Sequence, residues 1–565
     1  SPEGGGTHRQ ITDEPAFYTH PVFTPEGSAL IVVRSSAQAR RETYMEYGQL
    51  RDAELVLLPL DGSPSRVLAS GRIGGTPHFS ADTGEVLFNT AEGVEAVRLD
   101  GSSRHIVTQA VGPNWYFAEG SAAADDLRVS PDGKWALAQI AHQLHLFALE
   151  GGEGATFDLS APTAPHVQLT DVGVDYFGWS DNGASVFWTV GATLHQLALG
   201  DVVFAGARGG QPASEVPFVV EVPRDEPQGP VLLTGARVLT MADRADAGTW
   251  LDADILLDGP RIAAIGPRGT LASPDGAAAL DVSGTFIIPG LIDAHNHVAD
   301  IRREVLDTSA WGLRTSLAFG ITTLFDPSSL TIDMLTYQDM VEAGEVRGSR
   351  LYTTGPAIFD YNDFRSPEQV RAVLTRYRDA YRLSNIKMYR SGNRRVRQWI
   401  AQAADALGLT PTTEGALSYK LGITQILDGY SGLEHALPPP VLHKDVTRFF
   451  ARSGTSTVLT LMITHGGLPG DKVFIDRSKP YDDAKYARFA PDFFRANRFV
   501  GSLVHPFCQY HYPLSAASAA EMFRDGGLAG VGAHGDVPGL GTHWELQAYV
   551  EGGWMPAEAL WAGTM

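Results

Sequence analysis

The sequence predicts a multidomain fold in which an all-β propeller is followed by a small β-sandwich and a (β/α)8 barrel of the TIM type. Three observations predict it. One motif recurs four times in the first 225 residues, a polar proline-rich segment follows, and eight strand-like runs alternate with helical patterns from residue 286 onward. At 565 residues the chain is too long for a single core, so several domains are expected.

The repeated motif begins at His20, Thr76, Asp126 and Tyr176. Each copy has an aromatic or aliphatic residue, Ser or Thr, a turn of Pro, Asp, Asn or Gly, and then a strand of alternating apolar residues. The spacing of about 50 residues fits one four-stranded propeller blade. A sandwich with similar hairpins is the alternative, but four copies at a near-constant period favour a propeller over residues 1–225.

A polar linker, EVPRDEPQGP at 221–230, ends the repeats. The segments VLLTGARVLTMA and ADILLDGPRIAAIGP follow it, and both are typical of short strands split by glycine turns. They predict a small β-sandwich over residues 226–285, which leads into the barrel.

The barrel is predicted over residues 286–565 because strand-like and helical patterns alternate eight times there. Segments such as SPEQVRAVLTRYRDAY place apolar residues at i, i+3 and i+4, as an amphipathic helix does. The connection from 464 to 527 is too long for one loop, so we expect a lid or an insertion there. The eight strands are expected to begin near Phe286, Ile321, Arg350, Asn385, Thr410, Ser431, Ser456 and Leu528.

Composition excludes several classes of function. The formal net charge of −21 disfavours a nucleic-acid partner, and no run of 18 apolar residues predicts a membrane span. The single cysteine, Cys508, excludes an intramolecular disulfide and a cysteine-rich zinc site. The start, SPEGGGTHRQ, lacks a signal-peptide pattern, and the final MPAEALWAGTM is a helical pattern without a closing cap, which suggests an incomplete C-terminus.

Chemically active side chains stand where the predicted barrel strands end, which is the end that carries the chemistry in such barrels. His295 and His297 form an H-x-H pair, and period-two alternation puts both rings on one side of an extended chain. Both can then reach one ion at about 2 Å. The sequence therefore predicts a metal site, to which the later strand ends add Lys387, Glu414, His435, His534 and Asp536.

The stretch FIIPGLIDAHNHV, preceded by the small β unit, resembles the signature of the amidohydrolase superfamily. The segments RQWIAQAADALGLTPTTEGAL and GAHGDVPGLGTHWEL are similar to its branch with an N-terminal TolB-like propeller, among imidazolonepropionase- and prolidase-related hydrolases. The resemblance covers nearly the whole chain. It implies a metal-dependent hydrolase that uses metal-activated water to cleave an amide-type C–N bond in a cyclic amide or a short peptide-like substrate. It also favours an exported protein, with a cytoplasmic location left open.

The resemblance implies roles for individual residues. His295 and His297 would bind the more buried metal, His435 would be the strand-6 ligand, and Lys387 would carry a carbamate that bridges two metals. One or two divalent ions are expected, with zinc favoured and manganese or iron as alternatives. Asp293 is interpreted as a group that fixes the loop rather than as a ligand.

Two positions depart from the superfamily pattern. Glu414 stands where a histidine is usual, and His534 stands where an aspartate usually binds metal and accepts a proton. Glu414 can still ligate through oxygen, His534 can act as ligand or base, and Asp536 two residues later can be the base instead. The general base therefore stays open among Glu414, His534 and Asp536.

Four further residues are candidates for substrate binding: Tyr389, His465, His511 and His543. His543 begins the helix after strand 8, where a helix N-terminus can receive an anionic group, although this histidine can equally just orient the loop. His465 can equally be an ordinary loop residue that does not contact the substrate.

Other functions are weighed against this hypothesis. A serine hydrolase joined to a propeller needs a G-x-S-x-G elbow, and the sequence has none. A cyclase on the same scaffold and a non-catalytic binding protein both stay open, as does a homo-oligomer. The expected partner is a small-molecule or peptide-like substrate.

Overall fold

The computed structural model describes residues 10–42, 52–80, 84–113, 120–204, 213–244, 248–298, 308–329, 331–415, 417–463, 466–501 and 503–565. They form two compact units. The first contains the described residues up to Val220 with Ile358–Arg382 and Arg390–Gly408; the second contains Glu221–Ala357, Leu383–Tyr389 and Leu409–Met565. None of the helices within these ranges combines the length and the apolar character needed to cross a membrane.

The strands of the first unit form four sheets. Three have four strands, in the orders β1-β2-β3-β4, β10-β11-β12-β14 and β15-β16-β17-β18, and the fourth has the order β13-β8-β7-β6-β5 with β9 beside β8. All pairings are antiparallel except that of β13 with β8. The strands are β1 (Phe17–Phe23), β2 (Ala29–Ser35), β3 (Ala53–Pro59), β4 (Arg66–Gly71), β5 (Ile73–His78), β6 (Glu85–Thr90), β7 (Gly93–Arg98), β8 (His105–Pro113), β9 (Ser121–Ala123), β10 (Asp126–Val129), β11 (Trp135–Ile140), β12 (Gln143–Ala148), β13 (Ala155–Asp158), β14 (His166–Gln168), β15 (Tyr176–Trp179), β16 (Ser185–Val190), β17 (Thr193–Ala198) and β18 (Ser214–Pro217).

Each copy of the repeated motif forms the first hairpin of one sheet. Asp132 and Asn182 occupy the same place in the third and fourth copies. Each side chain accepts a hydrogen bond from the backbone N–H two residues later and contacts the serine hydroxyl two residues earlier. This Asx geometry, with glycine in the left-handed region at Gly133 and Gly183, closes the turn.

The same contact recurs between consecutive repeats: the fourth residue of one copy bonds to the third residue of the copy before it. The backbone N–H of Val129 donates to His78 Nε2 at 3.0 Å, and Trp179 Nε1 donates to the carbonyl of Arg128 at 3.1 Å. The first strands of the second, third and fourth sheets therefore lie side by side in chain order.

A five-stranded sheet begins the second unit, in the order β21-β20-β19-β22 with β23 beside β19. Its strands are β19 (Pro230–Val238), β20 (Leu251–Asp258), β21 (Arg261–Pro267), β22 (Ala278–Asp281) and β23 (Phe286–Ile287). The prediction that Phe286 starts the first barrel strand is wrong, because β23 pairs with β19. The apolar run is broken at Pro289, which has no N–H, and at Gly290, where a Cβ would lie 2.1 Å from Thr322 Oγ1.

Eight parallel strands follow, in the sheets β24-β25-β26 and β27-β28-β29-β30-β31. They are β24 (Leu291–Asp293), β25 (Ile321–Asp326), β26 (Arg350–Thr353), β27 (Asn385–Met388), β28 (Thr410–Glu414), β29 (Gly432–Glu434), β30 (Ser456–Val458) and β31 (Leu528–Gly530). Beyond the ends of β24 and β31, Ala294 N donates to Val531 O and His534 N donates to His295 O, each at 2.7 Å. This arrangement is consistent with a (β/α)8 barrel.

Helices separate the parallel strands. Ser366 caps α4 and Asn393 caps α5 with side-chain hydrogen bonds, while Gly408 ends α5 in the left-handed region. The β30–β31 connection, residues 459–527, holds four of the helices within its described part. The helices are α1 (Ala37–Glu42), α2 (Trp311–Ala318), α3 (Asp333–Glu342), α4 (Pro367–Thr375), α5 (Arg394–Leu407), α6 (Tyr419–Leu427), α7 (Lys444–Ser453), α8 (Asp471–Ser478), α9 (Ala484–Phe489), α10 (Asp492–Phe499), α11 (Tyr512–Arg524), α12 (Leu540–Glu551) and α13 (Pro556–Ala562).

Candidate metal centre

Four histidine rings meet just beyond the ends of β24, β29 and β31. The ring centroid of His295 lies 4.9 Å from that of His297, 4.7 Å from that of His435 and 5.2 Å from that of His534. One ring nitrogen from each of His295, His435 and His534 lies within 4.8 Å of the other two. We call His295, His297, His435 and His534 the histidine cluster.

An oxygen atom contacts Nδ1 of every ring in the histidine cluster. The pairs are His295 with Glu434 (2.7 Å), His297 with Asp326 (3.0 Å), His534 with Asp536 (2.7 Å) and His435 with the hydroxyl of Thr460 (2.6 Å). An ionised carboxylate only accepts, so the partners assign the proton to Nδ1 in the first three pairs and leave the Nε2 lone pair unprotonated. A metal-binding imidazole needs this tautomer and this orientation.

The two Nε2 atoms of the H-x-H motif lie close enough together to ligate one ion. Nε2 of His295 lies 3.2 Å from Nε2 of His297, and both rings are buried. Burial lowers the pKa of His295 well below its ordinary value, and the neighbouring His435 and His297 lower it further. Since protonation of His295 is disfavoured, a cation between the two nitrogens is the arrangement that removes their repulsion.

Two of the histidines have left-handed backbones, with φ of 68° at His435 and 66° at His534. Each such residue costs roughly 1–2 kcal/mol when it is not glycine. At His534 the conformation is held by two backbone bonds, from its N–H to His295 O at 2.7 Å and from His297 N–H to its own carbonyl at 3.1 Å. Strain of this kind in a buried cluster is typical of functional sites.

Lys387 and Glu414 form the side of the cluster next to His435. Lys387 is fully buried, its Nζ lies 3.3 Å from Glu414 Oε2, and this nitrogen makes no hydrogen bond to any residue in the described ranges. Glu414 Oε2 also lies 3.2 Å from His435 Nε2. Burial raises the pKa of Glu414, but the charge of Lys387 and the contact with His435 outweigh it and lower this pKa to about 2, so the carboxylate is an ionised oxygen donor.

The residues present fit a divalent metal ion. Imidazole nitrogens with oriented lone pairs and one ionised carboxylate are the donors that zinc, manganese and iron take in proteins. The set that can hold an ion comprises His295, His297, His435, His534 and Glu414. The buried Nζ of Lys387, without a hydrogen-bond partner in the described residues, is a further position that a bound group would satisfy.

No family model matches the chain. A dihydroorotase of Citrifermentans bemidjiense is 34% identical over 94 residues, which cover 17% of this chain and 21% of that protein. An adenine deaminase of Deinococcus deserti is 30% identical over 151 residues, 26% of this chain and 25% of that protein. The chain thus spans only about a fifth to a quarter of these curated relatives.

Among solved structures, a Xaa-Pro dipeptidase with bound methionine in the active site is similar with a TM-score of 0.44 at 17% identity. It covers 60% of this chain and 87% of that one.

The carboxylate before the H-x-H pair, Asp293, connects the ends of β24 and β31 through hydrogen bonds. Asp293 is fully buried; one oxygen accepts from the backbone N–H groups of His295 and Ala533, and the other accepts from Asn296 and Thr542. Burial raises the pKa of Asp293, and these hydrogen bonds oppose that rise. Both oxygens are engaged, so Asp293 anchors the loop of His295 and does not face the cluster as a donor.

The residues predicted to bind substrate are dispersed. Tyr389 is buried with its ring centre 4.5 Å from Lys387 Nζ. His543 is exposed on α12, and its Nε2 lies 2.7 Å from the carbonyl of Phe319. His511 is exposed at the start of α11, and no recorded side-chain contact among the described residues links it to the histidine cluster. His465 lies outside the described residues.

Sequence reasoning missed three partners of the cluster: Asp326, Glu434 and Thr460. Asp326 is the last residue of β25 and Glu434 the last of β29, so the strand-end rule that found the histidines would also have found these carboxylates. Nothing in the sequence indicated a role for Thr460, because a threonine two residues after a strand is common in any loop.

Proposed function

We propose that this protein is a metal-dependent hydrolase of the amidohydrolase type that cleaves a C–N bond of the amide class with activated water. The observation that carries the proposal is the histidine cluster, in which every Nδ1 has an oxygen partner and the Nε2 atoms of His295 and His297 converge. A bound divalent ion supplies the Lewis acidity that lowers the pKa of water and polarises a carbonyl.

The chain's own residues then have distinct tasks. The histidine cluster and Glu414 hold the ion, while Glu434 and Asp326 keep the rings of His295 and His297 in the binding tautomer. Asp536 is our assignment for the proton acceptor. Its side chain is 23% exposed and so can meet water, whereas Asp326 and Glu434 are buried and Glu414 is assigned to hold the ion.

Lys387 is proposed to carry a carbamate. Its Nζ is fully buried, lacks a hydrogen-bond partner in the described residues and lies beside Glu414 at the edge of the cluster. Addition of CO2 to the neutral amine, with release of a proton, would replace this cation by an anionic oxygen donor, which suits a second ion. Zinc is the preferred metal, with manganese and iron as alternatives.

The finer assignments rest on the sequence resemblance. The substrate is proposed to be a cyclic amide or a short peptide-like molecule, taken from the likeness of PGLIDAHNH and its flanking motifs to the superfamily. The domains are proposed as a TolB-like propeller over 1–225, a small β-sandwich from 226 that includes β23, and a (β/α)8 barrel from β24 to residue 565. The recurring contact between consecutive repeats supports the propeller.

The test is a count of bound metal in variants together with chelation. His295→Ala is expected to lower the zinc bound per chain and to abolish hydrolysis of a panel of cyclic amides and N-acyl dipeptides, while exposed His443→Ala leaves both unchanged. Chelation should remove activity, and added Zn or Mn should restore it. Unchanged metal content in His295→Ala, or hydrolysis that survives chelation but stops with a serine-directed reagent, would overturn the proposal.

A further inference from the structure

The β30–β31 connection reaches the histidine cluster through a chain of charged groups. Arg498 on α10 places its Nη2 2.7 Å from Asp471 Oδ2 and 3.6 Å from Asp536 Oδ1. The other oxygen of Asp536 lies 2.7 Å from His534 Nδ1. The order of contact is therefore Asp471, Arg498, Asp536, His534.

We infer that Arg498 is a positioning residue for His534: it holds the Asp536 carboxylate in the orientation that keeps the His534 ring aimed at the metal. The inference rests on the proposed function, with His534 as a ligand. Each oxygen of Asp536 has its own partner, so rotation of the carboxylate would break one contact or the other. The same guanidinium nitrogen, Nη2, contacts both carboxylates, and the planar guanidinium is less flexible than a lysine ammonium.

Asp471, the carboxylate that pairs with Arg498, is held in a fixed position. Asp471 is 1% exposed and begins α8, and its backbone N–H donates to Met462 O just after β30. A carboxylate this deeply buried needs a cation, and two lie beside the same Asp471 oxygen: Arg498 Nη2 at 2.7 Å and Lys472 Nζ at 3.4 Å, so Arg498 is the closer partner.

The helix that carries Arg498 is itself packed. The ring of Phe494 lies 4.8 Å from that of Trp311 on α2, and the ring of Phe499 lies 5.6 Å from that of Tyr486 on α9. Aromatic contacts at such distances lock α10 against its neighbours. The β30–β31 connection therefore supports the metal centre rigidly. A change in the position of α10 would move Arg498 and, through Asp536, the ring of His534.

A purely structural role for Arg498 is the alternative, in which it only stabilises the connection through Asp471. The two roles differ in one observable. A structural residue changes the unfolding temperature of the protein, whereas a positioning residue changes the metal's affinity and ligand field, and does so only while Asp536 is present to transmit the effect.

The experiment measures Zn²⁺ affinity by competition with a chromophoric chelator, and the visible absorption of the Co²⁺ form, in the full chain. Asp536→Asn is expected to weaken Zn²⁺ binding about 10- to 100-fold, as loss of a carboxylate behind a histidine ligand does. Arg498→Met should weaken it in the same direction by up to about tenfold, shift the Co²⁺ bands in the same way, and add nothing to Asp536→Asn. Arg498→Lys should fall between wild type and Arg498→Met.

The matched control is Arg495→Met on the same helix, since Arg495 contacts Asp492 and the Tyr481 carbonyl. It should leave Zn²⁺ affinity unchanged. If Arg498→Met fails to fold, Arg498→Lys and Asp471→Asn test the same chain of contacts.

Wild-type affinity and Co²⁺ bands in Arg498→Met, or an equal further loss in the Asp536→Asn background, would overturn the inference alone. A wild-type protein that binds neither ion would overturn the proposed function and this inference with it.

Discussion

Single residues outside the ligand set decide whether the histidine cluster can bind an ion. A neutral imidazole has two tautomers, and only the one with its proton on Nδ1 offers Nε2 to a metal. Glu434, Asp326 and Asp536 each accept from one Nδ1 and so select that tautomer. None of the three is a ligand in our assignment, yet each controls one.

Glu434→Gln tests this selection. The change removes the carboxylate behind His295, so Zn²⁺ affinity measured by chelator competition should fall about 10- to 100-fold. Exposed Glu521→Gln on α11 serves as the control and should bind as wild type does. Equal affinity in the Glu434 variant would show that this carboxylate does not orient the ligand.

Glu545 makes folding stability depend on pH. It is fully buried, its two oxygens accept from the N–H groups of Leu461 and Met462 at 2.8 and 3.1 Å, and burial together with the charge of Asp293 raises its pKa to about 8 despite those bonds. In the unfolded chain the ordinary pKa is about 4.5. Between about pH 4.5 and about pH 8, Glu545 is therefore protonated in the folded state and ionised in the unfolded state.

The free energy of unfolding should fall as the pH rises from about 5 to about 8 and level off above, because the stabilisation is full below the unfolded pKa and is lost through the folded one. Glu545→Gln cannot ionise, so its free energy of unfolding should lack this pH dependence. The variant should be less stable at low pH, because the glutamine amide can accept only one of the two backbone N–H groups. Urea unfolding of both proteins across this pH range measures the difference. Parallel pH profiles for the two would refute the assignment.

The turn that follows α4 contributes an arginine to a buried ion pair. The turn after α4, Arg376–Ala380, is a π-helix, and it carries an arginine that is only 5% exposed. Within the first unit its guanidinium pairs with Asp175 just before β15, and the hydroxyl of Tyr381 donates to the same carboxylate. Asp175 also accepts from Gly191 N–H at 2.7 Å, so the charge is fully engaged.

Arg376→Met should therefore destabilise the protein by about 3–5 kcal/mol, since removing one partner leaves a buried carboxylate uncompensated. Arg378→Met, two residues away and exposed with its partner Asp379, should leave the free energy of unfolding close to that of the wild type. Thermal and urea unfolding of the two variants give the comparison. A loss no larger in the Arg376 variant than in the Arg378 variant would mean that the pair contributes nothing net.

The molecule as a whole combines two kinds of architecture in separate units. The first unit consists mainly of antiparallel sheets built from a repeated hairpin, and the second contains the small sheet and the parallel strands whose ends form the histidine cluster. All residues of the candidate metal centre, including Arg498 and its anchor Asp471, belong to the second unit. Metal binding and its support from the β30–β31 connection are therefore properties of that unit.

Local patterns were enough to predict much of this organisation. The turn motifs predicted the four hairpins, and seven of the eight barrel strands begin at or within one residue of their expected positions. The H-x-H spacing put two imidazoles on one side of the chain before any fold was known. Such features depend on residues a few positions apart, whose geometry is set by the backbone's own periodicity.

The partners of the histidines and of β23 depend on which residues the fold brings close together. Glu434 meets His295 across 139 positions of sequence and Asp326 meets His297 across 29, so no local pattern could pair them. The same holds for β23, which continued the barrel's apolar run in sequence but found its hydrogen-bond partners on β19. Periodicity selects the element that a segment forms, whereas its partners, and hence its chemistry, follow from which side chains the ends of the parallel strands bring within about 3 Å.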